Sequence, residues 1–323
     1  MSINRRHLLT AASVAALLGN MAVSRRSQAS TGEKFTVLLD WFVNPDHAPL
    51  FVAKYIGAFD RAGLNVDLIA PTDPDLPPRL LAAGKADVAL SYQTQLYLLV
   101  DQGLPVIRTG TLINKPLNTL TALSGRGIKT MADFKGRKIG YSVAGVEEAL
   151  IATMLASVNL TLSDVTLVNV NFALITALMS HEVDGVIGAY RTFEDIQLQQ
   201  AGLDPIIFLP EDYGVPPSDE LIILSSTTGA SSLALPKFLG AVKEGADYLV
   251  KNVEPMWAEF AKDQTSLNNK LNKASWDALP GCFSQNPFYL DAPRYTTYRD
   301  FMFKTKLIKQ SLPLDKYAVE IKA

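Results

Sequence analysis

Between residues 35 and 208 the chain alternates short apolar runs with longer stretches whose apolar residues recur every three or four positions. The runs at 35–39, 66–69, 88–91 and 106–112 are rich in Val, Ile and Leu, which predicts buried strands. The spacing between them predicts helices near 49–62, 77–83 and 94–102. A second series starts at Lys138, with strands at 138–141, 166–170, 185–189 and 206–208 and helices at 146–157, 173–181 and 192–200. Such alternation builds a mostly parallel sheet with helices on both faces, because each parallel connection must cross over the sheet. Two stretches fall outside both series. Residues 117–123 read as an extended segment leaving the first series, and 220–224, after Tyr213-Gly214-Val215-Pro216-Pro217, reads as a strand crossing back. The tail is helical at 235–250, 255–262, 270–278 and 292–304, with Phe238, Ala241, Ala246 and Leu249 on one face of the first of these.

Two crossings predict an α/β protein of two lobes, each a mostly parallel sheet flanked by helices, with a hinge and a cleft between them. Lobe 1 is expected to comprise residues 34–120 plus 222–323, and lobe 2 residues 121–221. The Pro-rich stretch 71–78 is too short to link domains.

Residues 1–30 have a different character. Arg5-Arg6 precede an Ala-rich apolar run from Leu8 to Val23, and Ser27-Gln28-Ala29 supplies small residues for cleavage near residue 30. The run is interrupted by Ser13, Gly19 and Asn20 and suits an export signal better than a membrane anchor. The paired arginines with His7-Leu8-Leu9 resemble a twin-arginine signal, which predicts a periplasmic protein; no cysteine near the cleavage region offers a lipid anchor. Without this segment the chain has 26 basic against 32 acidic side chains, a net charge of about −6, which argues against nucleic acid as a partner. Cys282 is the sole cysteine, so no internal disulfide or Cys-based metal cluster can form, and three histidines make a His-rich metal site a poor expectation.

Open α/β sheets take ligands beyond the carboxyl ends of their strands, which selects the candidate residues. Trp41, Asn44 and His47 sit in the polar turn after the first strand; their plainer roles would be core aromatic, turn former and helix-start hydrogen-bonding group. Tyr92 follows the strand at 88–91, and Asn118 lies near the first crossing, where an ordinary turn residue is also expected. The loop from Gly140 to Gly145 precedes a helix start whose free amides could hold an anion or a polar ligand edge. It lacks the Gly-Lys-Ser/Thr ending of a nucleotide loop, and Glu147 and Glu148 oppose phosphate, so it is expected to line the cleft without binding nucleotide. Tyr190 and Glu194 follow the strand at 185–189, spaced to share one face if a helix begins there. Stacking on a tyrosine beside a carboxylate suits a planar ligand with ring nitrogens and an exocyclic amine, whereas Glu194 alone could serve as a first-turn acid.

The pattern Asp40-Trp41-Phe42-x-Asn44-x-x-His47, followed by Val52-Ala53-Lys54, Gly57-x-Phe59-x-x-x-Gly63-Leu64-x-Val66 and Ala82-x-Gly84-Lys85-Ala86-Asp87, and continuing to Tyr190 and Glu194, covers most of the chain after residue 33. It resembles the periplasmic binding proteins that feed thiamine-pyrimidine precursors to ABC importers, which are similar in turn to eukaryotic-type hydroxymethylpyrimidine phosphate synthases. The resemblance implies a type II periplasmic-binding-protein fold and a receptor, not an enzyme, that works as a monomer without cofactor or metal. It implies a ligand such as hydroxymethylpyrimidine or formylaminopyrimidine, a permease in the inner membrane as partner, and Tyr190 and Glu194 as the pair that holds the pyrimidine. Receptors for sulfonate, nitrate, taurine or riboflavin-type ligands share the architecture and remain alternatives, with Arg191 the cation that would favour an acidic ligand. A synthase is a further alternative, but its lysine would fall where Ser91-Tyr92 stands and its cysteine-rich segment where 214–220 stands.

Overall fold

The computed structural model describes residues 32–322, so the export signal expected at 1–30 lies outside the described residues. The first half contains β1 (Glu33–Leu38), α1 (Ala48–Tyr55), α2 (Ala58–Arg61), β2 (Leu64–Ile69), α3 (Pro77–Ala82), β3 (Val88–Ser91), α4 (Gln93–Asp101), β4 (Val106–Ile113), β5 (Asn118–Leu123), β6 (Lys138–Tyr141) and α5 (Val146–Ala156). There follow β7 (Thr166–Asn169), α6 (Leu174–Met179), β8 (Gly185–Tyr190), α7 (Glu194–Gln200), β9 (Pro205–Phe208), β10 (Leu221–Ser226), α8 (Ala234–Lys251), α9 (Val253–Asp263), α10 (Lys270–Ala278) and α11 (Ala292–Lys304).

The strands form two five-stranded sheets of matching plan, β2-β1-β3-β10-β4 and β7-β6-β8-β5-β9. In each, one strand runs against its neighbours: β10 is antiparallel to β3 and β4, and β5 is antiparallel to β8 and β9. These are the two strands that follow the crossings, each entering its sheet from the opposite lobe. The stretch expected to be only an extended exit is therefore a strand of the second sheet. The expected lobe boundary at 120/121 falls inside β5, since the chain crosses between Ile113 and Asn118 and returns between Phe208 and Leu221.

Burial follows the sequence pattern. β3, β4 and β5 are buried along their whole length, as expected of strands covered on both faces. Outside the first sheet, α8 lays Leu235, Phe238, Leu239, Val242, Ala246 and Leu249 against the core, and Phe238 stacks on Phe35 at 4.8 Å between centroids and on Phe59 at 5.7 Å. Each of the Leu, Val and Phe side chains among these contributes about 1.5–3 kcal/mol by burial. Gly245 lets α8 meet α1, because a Cβ there would stand 2.3 Å from the Pro49 carbonyl oxygen. The single helix expected at 49–62 is broken into α1 and α2, because Gly57 adopts φ +71°, a left-handed conformation that ends the first helix. Cys282 is half-buried and packs against the first core.

Candidate functional site

Beyond the carboxyl ends of β1, β3, β6 and β8 the lobes meet around a partly open cavity. Trp41, Asn44, Tyr92, Asn118, Tyr190 and Glu194 line it; His47 and Gly145 do not. Its wall is built from a few local devices.

The first is the turn after β1. Asn44 caps the short 3-10 turn Pro45–His47, its Oδ1 accepting from the Asp46 amide at 2.7 Å. His47 is fully buried behind the cavity wall, and its Nδ1 accepts from the Asn44 amide at 3.3 Å. That acceptor role leaves the proton on Nε2, which donates to Asp40 Oδ1 at 3.0 Å. Asp40 Oδ2 in turn accepts from the Tyr92 hydroxyl at 2.9 Å. His47 thus fixes Asp40, and Asp40 fixes the ring of Tyr92.

The second device is a bulge in β8. The register between β5 and β8 slips at Thr119/Leu120, leaving Gly188 as the extra residue with φ +100°. The Gly188 amide donates to Asn118 Oδ1 at 3.2 Å, and a Cβ at this position would stand 2.6 Å from Glu147 Oε1. Beyond the bulge, Tyr190 ends the strand, and its amide donates to Glu194 Oε2 at 2.8 Å. The two residues meet through this bond and not as neighbours on one helix, since α7 starts only at Glu194. The Tyr190 hydroxyl is buried without a hydrogen-bond partner.

The loop before α5 departs from expectation. Its amides are not free for a ligand: Val143 donates to Glu147 Oε2 at 2.7 Å, Ala144 to Asp75 Oδ1 of the opposite lobe at 3.0 Å, and Gly145 to Glu148. The loop still contributes Ser142, Val143 and Val146 to the lining. Across the rim, Trp41 meets Phe172 edge-on at 4.5 Å, a second contact between lobes.

The hinge is held by charge. Glu220 Oε2 accepts from the Leu117 and Asn118 amides at 2.6 and 3.0 Å. Arg191 turns away from the cavity, donating to the Leu117 and Asn118 carbonyls at 3.2 and 3.1 Å and pairing with Glu211 at 2.9 Å. Among the described residues lining the cavity, Asp40, Asp46, Glu147 and Glu194 are acidic and none is Lys or Arg. Burial pushes the carboxyls of Asp46 and Glu147 well above the usual range and that of Glu194 up to about 7. Burial and nearby carboxylates also hold the hydroxyls of Tyr92 and Tyr190 protonated.

The lining residues that sequence reasoning missed had faint signals. Asp40 and Asp46 stand inside the motif stretch as a strand-ending acid and a turn acid, and Glu147 reads only as an acid opposing phosphate. Gly188, a glycine inside an apolar strand run, is a bulge signal.

This is the two-lobed periplasmic-binding-protein fold, with a lined cavity where the lobes meet. A solved alkanesulfonate-binding protein from Xanthomonas axonopodis, in complex with MOPS, superposes with a TM-score of 0.71 at 15% identity, over 88% of this chain and 98% of its own. The chain belongs to the family described as NMT1/THI5 like, which matches residues 44–255. It is 45% identical over 291 residues to a protein of Haemophilus influenzae named as a thiamine biosynthesis protein, covering 90% of this chain and 92% of that one. It is 35% identical over 241 residues to the formylaminopyrimidine-binding protein of Halalkalibacterium halodurans, covering 74% and 73%.

Proposed function

We propose that this chain is the periplasmic substrate-binding receptor of an ABC importer, and that it takes a thiamine-pyrimidine precursor, hydroxymethylpyrimidine or formylaminopyrimidine, into the cavity between its lobes. The observation that carries the reading is the lining itself: aromatic rings beside four acidic side chains, with no cation among the described lining residues. A neutral planar ring bearing an exocyclic amine suits such a wall, since the ring stacks on tyrosine or tryptophan and the amine donates to a carboxylate. A hydrogen bond to a charged group is worth about 1.5–3 kcal/mol in such a setting. A sulfonate or nitrate would instead face acidic side chains with no cation among the described lining residues to pair with. Arg191, the cation on which an acidic ligand would depend, is committed to Glu211 and to the hinge carbonyls. In this reading Trp41, Asn44, Tyr92, Asn118, Tyr190 and Glu194 touch ligand, while His47 and Gly145 shape the wall. Opening about the two crossings admits the ligand, and the closed form, joined across the rim at Trp41–Phe172 and Asp75–Ala144, is the one presented to the permease.

Calorimetric titration and thermal melting of the ligand-stripped protein against aminopyrimidines, thiamine, riboflavin, taurine and nitrate test this reading. A specific ligand at 100-fold its dissociation constant adds about 2.7 kcal/mol of stability. An aminopyrimidine is expected to bind and the anions are not, and Glu194→Gln is expected to weaken binding at least about ten-fold, roughly 1.4 kcal/mol. Binding of an anion alone would overturn the pyrimidine assignment.

A further inference from the structure

We propose that Asp46 and Glu194 hold one proton between them and use it to read the amidine edge of the ligand, Asp46 donating as a carboxylic acid to a ring nitrogen and Glu194 accepting, as a carboxylate, from the adjacent exocyclic amine. The inference rests on the aminopyrimidine reading above and adds a specificity-determining residue that the sequence did not single out. Asp46 is 3% exposed and lines the cavity, yet Oδ1 is buried with no hydrogen-bond partner. Its amide is satisfied by Asn44, so the orphaned group is the carboxyl alone. A buried ionised carboxylate is normally paired or capped by donors, and neither is found here among the described residues.

The surroundings explain why. The charged groups facing Asp46 are Glu194 from the start of α7, Asp40 from the end of β1 and Glu220 from the second crossing, all acidic. Tyr190 and Cys282 also feel its charge, and burial keeps both protonated. His47, in the same turn, has committed its Nε2 proton to Asp40. The elements behind the turn offer no cation: Lys54 of α1 and Lys270 of α10 are exposed, and Lys273 is bonded to Glu254 and Asp277. With Asp40 tethered by His47 and Tyr92 and Glu147 held on the Val143 amide, the two other lining acids, Asp46 and Glu194, cannot both carry charge in a buried space, and a single proton relieves them. Burial raises both carboxyls, which agrees with that arrangement.

The test is calorimetric titration with 4-amino-5-hydroxymethyl-2-methylpyrimidine from pH 6 to pH 9 in two buffers of different ionisation enthalpy. Affinity of the unaltered protein is expected to fall as pH rises, toward ten-fold per pH unit, with uptake of up to one proton per ligand at the alkaline end. Asp46→Asn replaces the acid by a donor that does not titrate. Its profile is expected to flatten, with binding weaker than the parent at pH 6 and tighter at pH 9. An Asp46→Asn protein at least ten-fold weaker at every pH would overturn the inference, because that is the loss expected from removing an ionised carboxylate. Should that variant fail to fold, zero proton uptake by the unaltered protein across the whole range overturns the inference without it. Failure of the unaltered protein to bind the pyrimidine at any pH would overturn the receptor reading and this inference with it, and differs from the other outcomes in that the parent itself is silent.

Discussion

Replacing Gly188 by alanine tests how the cavity wall is built. The backbone at Gly188 has φ +100°, and an added Cβ would stand 2.6 Å from Glu147 Oε1. Holding a non-glycine residue in a sparsely populated conformation costs about 1–3 kcal/mol. The collision must also move Glu147, whose Oε2 accepts from the buried Val143 amide at 2.7 Å, and leaving such an amide unpaired costs about 1–3 kcal/mol. The expected loss is therefore about 2–6 kcal/mol, read by urea denaturation of the ligand-free protein. The two parts separate in a double-mutant cycle. Glu147→Ala removes both the obstacle and the bond, so in the Gly188→Ala/Glu147→Ala protein the collision and the lost bond are counted only once. That protein is expected to be more stable than the sum of the single losses by about 1–2 kcal/mol, and additivity within about 0.5 kcal/mol would refute the argument.

Other consequences follow from buried charge. Asp195 accepts from Thr121 Oγ1 at 2.7 Å while its other oxygen is buried unpartnered, and burial pushes its carboxyl up to about 6. A raised carboxyl means that the folded chain holds the proton more tightly than the unfolded one. The associated stability is complete below the unfolded value near 4 and is lost as pH rises through about 6. The melting temperature should accordingly rise as pH falls from 7.5 to 5, and Asp195→Asn should flatten that slope and stabilise the protein at pH 7.5 by about 1–3 kcal/mol; superimposable profiles would refute this. Arg191→Ala removes donors to two hinge carbonyls together with the Glu211 pair and should cost about 1–3 kcal/mol in denaturant melts. Lys243→Ala, which breaks an exposed pair with Asp247, should cost under about 0.5 kcal/mol, and equal losses for the two would contradict the role given to Arg191.

Much of the architecture was legible because it rests on burial. The run at 88–91 is a strand of those same residues, and helices expected at 270–278 and 292–304 lie where their spacing puts them. β5 was read only as an exit from the first lobe, because local pattern says a segment is extended but not which sheet receives it. The break at Gly57 was missed because apolar spacing continues past it while the glycine's left-handed backbone ends the helix. At the site, residue type and strand-end position found the aromatic members. Asp46 and Glu147 escaped because their importance arises from burial and from each lobe's approach to the other, neither of which the local sequence records. The glycine loop misled for a related reason: its amides look free until Asp75, nearly 70 residues earlier, arrives from the other lobe to take one of them.

The position of β10 in the first sheet also bears on assembly. The second sheet needs no residue beyond Phe208, whereas β10 separates β3 from β4 in the first and ends only at Ser226. A chain emerging from its N-terminus can therefore complete the inserted lobe while the lobe that encloses it still has a gap, with β4 lacking its neighbour. Closing that gap takes insertion between two strands, not addition to a free edge, and the residue before β10, Glu220, then meets the Leu117 and Asn118 amides at the hinge. The segment made later thus finishes the lobe begun first, and the cleft exists only once that has happened.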